Sequence, residues 1–256
     1  MALAPQKDIN EMLGVLTHHI DNKIILDDFT LRRFIAKAEK IPDDPIKLMA
    51  LGLAYGAAGQ HQTAIDYFKE AVKYHDDVSA RNYLSYLSHT GEYELYREEA
   101  IRMAKEIVSL PLYIKARNAA YADGDPELTL FFARKVLSVM GDDKERESVE
   151  LEQRVKEAAL KNFIDATNLK TSEISKLTRS IAHVAKKYDV LAVAQDFYTT
   201  EDGDAAVICD VLCFDANVIS DMDIDVATEL AMNETFSDKN ITAWFRGRDA
   251  NEVGGA

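Results

Sequence analysis

Three glycines set a rhythm in the chain. Gly59, Gly91 and Gly124 follow one another at intervals of 32 and 33 residues, and each interrupts a stretch of helical apolar spacing. Around the first, "LMALGLAYGAAGQHQTAIDYFKEAVKYH" places Leu48, Leu51 and Tyr55 before the break and Ala64, Phe68 and Ala71 after it. The first set falls at i, i+3 and i+7, the second at i, i+4 and i+7, so each set forms one stripe of a helix. Two helices are expected, Pro45–Ala57 and Gln62–Tyr74, joined by a short turn at Gly59. Pro45 suits a first helical turn, where its missing N–H has no partner to lose. Gly52 and Ala64 are expected where the two backbones cross closely, with Tyr55 and Phe68 filling the space further out.

A single helical hairpin cannot bury its own apolar face, so neighbours are required. "SARNYLSYLSHTGEYELYREEAIRMAKEI" supplies Tyr83, Leu84 and Leu87 before Gly91, then Ala100, Ile101 and Ala104. "LYIKARNAAYADGDPELTLFFARKVLSVM" supplies Ile114, Ala116, Ala119 and Ala120 before Gly124-Asp125-Pro126, then Leu130, Phe131, Ala133 and Val136. An earlier pair is expected from Ile9, Met12, Leu13, Leu16 and Ile20, followed by Phe29, Phe34, Ile35, Ala38 and Ile41 with Asp27 or Asp28 as its cap. A long charged helix over 143–168, with Val149, Val155, Ala159 and Phe163 as its apolar face, is expected to close the array.

The first hairpin resembles a tetratricopeptide repeat. That pattern is Leu-Gly-x-x-Tyr on helix A and Ala-x-x-x-Phe-x-x-Ala on helix B, and Leu51, Gly52, Tyr55, Ala64, Phe68 and Ala71 match it. The terminal Pro of the pattern is Asp76 here, and the two later units keep the period and shape while losing most of the signature residues. The resemblance implies a concave surface lined by the A helices. In that register the groove positions are Met49, Leu53 and Gly56, then Arg81, Ser85 and His89, then Ile114, Asn118 and Tyr121. Members of this family that clamp a terminal carboxylate do so with Lys and Asn on helix A. Met49 and Leu53 depart from that and imply an apolar ligand. Partner-binding candidates are therefore Met49, Leu53, Arg81, Ser85, His89, Asn118 and Tyr121.

After about residue 171 the period changes. Ile174, Leu177, Ile181, Val184 and Tyr188 form a last helical stripe. "VLAVAQDFY" and "AAVICDVLCF" are β-rich runs around "TTEDGD", where Asp202-Gly203 signals a hairpin. "SDMDIDVATELAMN" reads as a helix and "NITAWFRG" as a closing strand. The fold class expected is α+β: an all-α helical-repeat array over 1–170, then a small α-β-β-α-β domain over 171–256. The hairpin would leave an edge strand that a second copy could pair with.

The 256 residues, 47% hydrophobic, suffice for one or two domains with real cores. No apolar run reaches ~18 residues, so no membrane span is expected, and the N-terminus turns polar too early for a signal-peptide core. Two cysteines imply no disulfide scaffold, which makes a reducing, cytoplasmic setting the expectation. Acids outnumber bases 44 to 30, and residues 171–256 hold 16 acids against 7 bases. Such a polyanion is repelled by nucleic-acid phosphates and anionic lipid and attracts a basic partner protein instead.

The chemical motifs point away from catalysis. Asp221-x-Asp223-x-Asp225 lacks the Gly and Glu that a calcium loop needs at its sixth and twelfth positions, where Val226 and Met232 stand. It reads as a helix start, with Ser220 as cap and Asp223 closing a capping box. Cys209 and Cys213 share a strand face without a second Cys pair or a nearby His to make a zinc site. His18, His19, His61, His75, His89 and His183 fit no metalloprotease or hydrolase pattern. Trp244 reads as a sheet-face or core aromatic, and Arg246 and Arg248 as partners of nearby acids. No metal, cofactor or catalytic residue is expected.

Three functions compete on these grounds. The leading one is a non-enzymatic interaction protein (an adaptor, chaperone or assembly factor) that binds a partner's peptide or helix in the groove. The alternative is an inhibitor, antitoxin or immunity protein whose acidic C-terminal domain neutralises a basic partner. The least supported is an enzyme using Asp210, Asp221 or Cys213.

Overall fold

The computed structural model describes residues 3–141 and 143–248. They fold into two compact units, Met1–Leu112 and Tyr113–Ala256. This division falls earlier than the change of period near residue 170, because the helices between 113 and 170 belong to the same compact unit as the sheet.

The first unit contains α1 (Leu3–Asp21), α2 (Asp28–Ala38), α3 (Asp44–Ala57), α4 (His61–Val72), α5 (Asp77–His89) and α6 (Tyr93–Glu106). Two of its helices, α3 and α5, begin on a repeated cap. The Asp43 carboxylate accepts from the Ile46 N–H at the head of α3, and the Asp76 carboxylate accepts from Ser79 at the head of α5. The Ser109 hydroxyl stands in the same relation to α7 (Leu110–Ala122), accepting from Leu112. Positions 43, 76 and 109 are 33 residues apart. Each such cap satisfies one of the N–H groups left over at a helix start.

The glycine rhythm has an equally specific cause. At Gly59, Gly91 and Gly124 φ is +74°, +68° and +68°, a left-handed conformation that costs a side chain about 1–2 kcal/mol. In each turn two N–H groups reach back to the orphan carbonyls of the preceding helix. Gly59 bonds Gly56 and Gln60 bonds Tyr55; Gly91 bonds Ser88 and Glu92 bonds Leu87; Gly124 bonds Tyr121 and Asp125 bonds Ala120. This is the Schellman ending, used three times over.

α3 lies at the centre of the first unit, packed by α1, α2, α4 and α5. Met49, Ala50, Leu51, Gly52, Leu53, Ala54, Gly56 and Ala57 are all buried, as a helix apolar on every side must be. Gly52 and Gly56 make room for rings rather than for a crossing backbone: a Cβ on Gly52 would lie 3.0 Å from the Phe68 ring, and one on Gly56 2.5 Å from the Tyr86 ring. Phe68 stacks on Tyr83 and lies 5.2 Å from Tyr86, so three aromatic rings tie α4 to α5. α1 buries Met12 and Leu16 along its expected stripe, whereas Phe29, expected on the inner stripe of α2, is 71% exposed.

The second unit holds most of α7, then α8 (Pro126–Val139), α9 (Asp143–Thr167), α10 (Thr171–Lys187), β1 (Ala192–Thr199), β2 (Ala205–Val211), α11 (Ala216–Met232) and β3 (Ile241–Gly247). β1 and β2 form the antiparallel hairpin, and β3 joins β2 in parallel after the α11 crossover. The order is β1-β2-β3. One sheet face carries Phe197, Val207, Cys209, Val211, Ala243 and Phe245 into a core shared with Phe163 of α9, Leu177 and Ile181 of α10 and Met222 and Val226 of α11. The buried stripe of α9 is Gln153, Leu160, Phe163 and Thr167; Val155, expected to face inward, is exposed together with Leu151. Both edge strands carry side-chain partners. The Tyr121 ring packs edge-on against the Phe197 ring of β1, and the Asp223 carboxylate accepts from Phe245 N–H on β3 at 2.7 Å. The Asp223 bond blunts the β3 edge against pairing with another strand.

Candidate partner-binding surface

Three of the seven residues expected to line a groove are core positions. Met49 and Leu53 are buried within the first unit, and Tyr121 is buried in the core of the second. Burial holds the Tyr121 hydroxyl well above its ordinary titration range. Asn118 is exposed in the second unit, where its amide oxygen accepts from Arg117 and Lys156, and Glu152 bonds both of those cations. The apolar positions taken as ligand contacts are thus core positions.

Arg81, Ser85 and His89 do fall together. They are half-buried and recur every four residues on α5, so they share one stripe of that helix. Asp77 continues the stripe by one more turn. Its Oδ2 accepts from Arg81 Nε at 2.9 Å, while Oδ1 is buried without a hydrogen-bond partner among the described residues. His89 Nδ1 lies 2.8 Å from the Ser85 carbonyl, which can only accept, so Nδ1 carries the proton there. The other ring nitrogen, Nε2, faces Asp21 of α1 at 3.4 Å. Val78, 40% exposed, and Asn82 flank the stripe. The strip offers a guanidinium, a hydroxyl and an imidazole, while the second Asp77 oxygen is itself buried. Its chemistry matches a polar or charged peptide better than the apolar ligand expected from Met49 and Leu53. Asp77 was missed because it precedes the counted register; its i−4 spacing from Arg81 was the available signal.

The acidic run of the second unit is absorbed by its own fold. α11 begins at Ala216, capped by Asp215, whose carboxylate accepts from Asn217 and Val218. Ser220 is therefore not the cap, and Asp223 closes no capping box. Asp223 secures β3 instead, and burial raises its pKa above the ordinary value. Asp225 accepts from Lys187 Nζ at 2.6 Å and from the Tyr188 hydroxyl at 2.8 Å, and those bonds hold its carboxyl below the ordinary range. On the outward sheet face Asp210 is buried between Arg246 Nε at 2.6 Å and Arg248 Nε at 3.1 Å. The half-buried Trp244 lies on that face too, opposite Ile208 in register. Cys209 is buried on β2, but Cys213 lies beyond the strand's end, so the two do not share a strand face. Among the described residues no three His, Cys, Asp or Glu side chains gather as metal ligands, and no helix is long and apolar enough to cross a membrane.

Compared with known protein families, curated proteins and solved structures, the chain matches none.

Proposed function

We propose that the chain is a tetratricopeptide-like, non-enzymatic protein interaction module, an adaptor, chaperone or assembly factor, that holds a partner's peptide or helix against α5. The repeat reading is supported by the caps at 43, 76 and 109 and by the three glycine turns. The binding reading rests on one observation: Asp77, Arg81, Ser85 and His89 form a continuous, half-open polar stripe on a helix A. Fold alone is an analogy, so the site carries the argument.

The test compares the full-length chain with an Arg81→Glu/Ser85→Glu variant, each used to capture partners from native lysate. Circular dichroism first checks that both are folded. A partner held by the parent and lost by the variant supports the reading. Identical partners on both place the interaction elsewhere. The inhibitor reading is supported by a separate observation: Arg246 and Arg248 are both engaged by Asp210, and Arg246 reaches Asp196 as well, so neither is free to neutralise the exposed Glu201 and Asp202. A basic partner retained by the variant and released at high salt favours that reading.

A further inference from the structure

α2 presents a face unlike the rest of this acidic chain. Phe29, Arg32, Arg33, Ala36 and Lys37 all point outward and are exposed, and Ile25, in the connection before the helix, is 67% exposed. Neither Arg32 nor Arg33 has a carboxylate within 4.0 Å among the described residues. Elsewhere Arg81, Arg102, Arg117, Arg246 and Arg248 each pair with one. An unneutralised cationic face in a chain of net charge −14, with a large exposed ring at its N-terminal end, has the chemistry of a docking surface for an acidic, aromatic-bearing segment.

Such a segment exists at the β1–β2 turn. Glu201, Asp202 and Asp204 are exposed, and Tyr198 beside them is 53% exposed. Space around the turn is open, since a Cβ on Gly203 would meet nothing within 4 Å. We infer that the basic face of α2 on one copy of this chain docks the acidic Tyr198–Asp204 turn of a second copy. Arg32, Arg33 and Lys37 would meet the turn's carboxylates, and Phe29 would pack on Tyr198. The contact pairs unlike faces, so every copy offers both halves of it. One turn against one short helix falls below the ~800 Å² per partner of a stable interface, so the association is weak, reversible and sensitive to salt.

Sedimentation velocity on the full-length chain over a range of concentrations tests this, at roughly 50 mM and roughly 500 mM NaCl. The expected result is self-association at low salt that is lost at high salt. Arg32→Glu/Arg33→Glu should weaken it at least ~10-fold, and so should Glu201→Lys/Asp202→Lys, because opposed charges become like charges. All four positions are exposed, so both variants should fold; circular dichroism checks this. The two reversals combined in one chain should restore association, which a general change in net charge would not do. A monomer at low salt, association indifferent to Arg32→Glu/Arg33→Glu, or a combined variant that stays dissociated each overturns the inference. Co-flotation with phosphatidylserine vesicles, abolished by Arg32→Glu/Arg33→Glu in a chain that does not self-associate, would assign the face to a membrane instead.

Discussion

Substituting Gly56 by Ala tests whether the array is held at the distance its small residues dictate. The added Cβ would lie 2.5 Å from Cε2 of Tyr86, about 1 Å inside ordinary carbon contact. Tyr86 has little freedom to retreat. It is fully buried, its hydroxyl lies 2.8 Å from His61 Nδ1, and its ring packs 5.2 Å from Phe68. Overpacking costs about 1–3 kcal/mol, and a strained or broken hydrogen bond adds about 1 kcal/mol. Against this stands a gain in helix propensity of at most about 1 kcal/mol, reduced because Gly56 sits at the end of α3. The expected outcome is a net loss of roughly 1–3 kcal/mol. Gly14→Ala is the control, because its Cβ meets nothing within 4 Å, and it should stabilise by up to about 1 kcal/mol. Urea titration followed by far-ultraviolet circular dichroism reads both. Trp244, the chain's one tryptophan, lies in the second unit, so its fluorescence reports that unit separately. The reasoning fails if Gly56→Ala matches the stability gain of Gly14→Ala.

In the second unit, Gly124→Ala must place a side chain at φ +68° and within 2.8 Å of Ile174 Cβ, so a loss above about 2 kcal/mol is expected in the tryptophan-monitored transition. Asp223→Ala leaves the Phe245 N–H without its acceptor, and should cost about 1–3 kcal/mol in that same transition. The Asp225 carboxyl is held below its ordinary value of 3.8 by Lys187 and Tyr188, so its contribution is present above that value and fades as pH falls through the lower folded value; an acid titration of Asp225→Asn should show a shallower loss over that window. Leu16→Ala in α1 and Met49→Ala in α3 should each cost about 2–5 kcal/mol, and a double-mutant cycle with coupling above about 0.5 kcal/mol would show that α1 covers the Met49 side of α3.

Helix positions in the first unit were legible because two independent periodicities agreed there, the apolar stripes and the left-handed glycines. Asp43, Asp76 and Ser109 repeat at 33 residues and were equally visible, but Asp and Ser are common enough that the caps stand out only once the helix starts are known. The hairpin was legible from Asp202-Gly203. The parallel partner of β2 was not, because no local pattern in β3 encodes which strand it joins. The start of α11 was misplaced by five residues because the Asp221–Asp225 run imitates an acidic first turn. The apolar spacing of Ile219, Met222, Val226 and Leu230, preceded by Asp215, was the better guide. On α9 the buried stripe contains Gln153 and Thr167 while Leu151 and Val155 are exposed, so hydropathy alone pointed to the wrong face.

The groove was misjudged for a related reason. The family register marks where a helix A side chain points in a long array, and in that setting Met49 and Leu53 would be free to meet a ligand. In this unit α3 has helices on every side, so two positions that read as ligand contacts are satisfied from within. α5 shares the same geometry but carries Arg81, Ser85 and His89 where α3 carries apolar residues. A polar stripe gains little from burial against another helix of its own chain and loses hydration unless every group finds a partner. That composition accounts for Arg81, Ser85 and His89 remaining half-buried where α3 buries Met49, Leu53 and Gly56. Within the stripe Asp77 and His89 are already committed: Oδ2 of Asp77 holds Arg81, Oδ1 is buried, and the two ring nitrogens of His89 face the Ser85 carbonyl and Asp21.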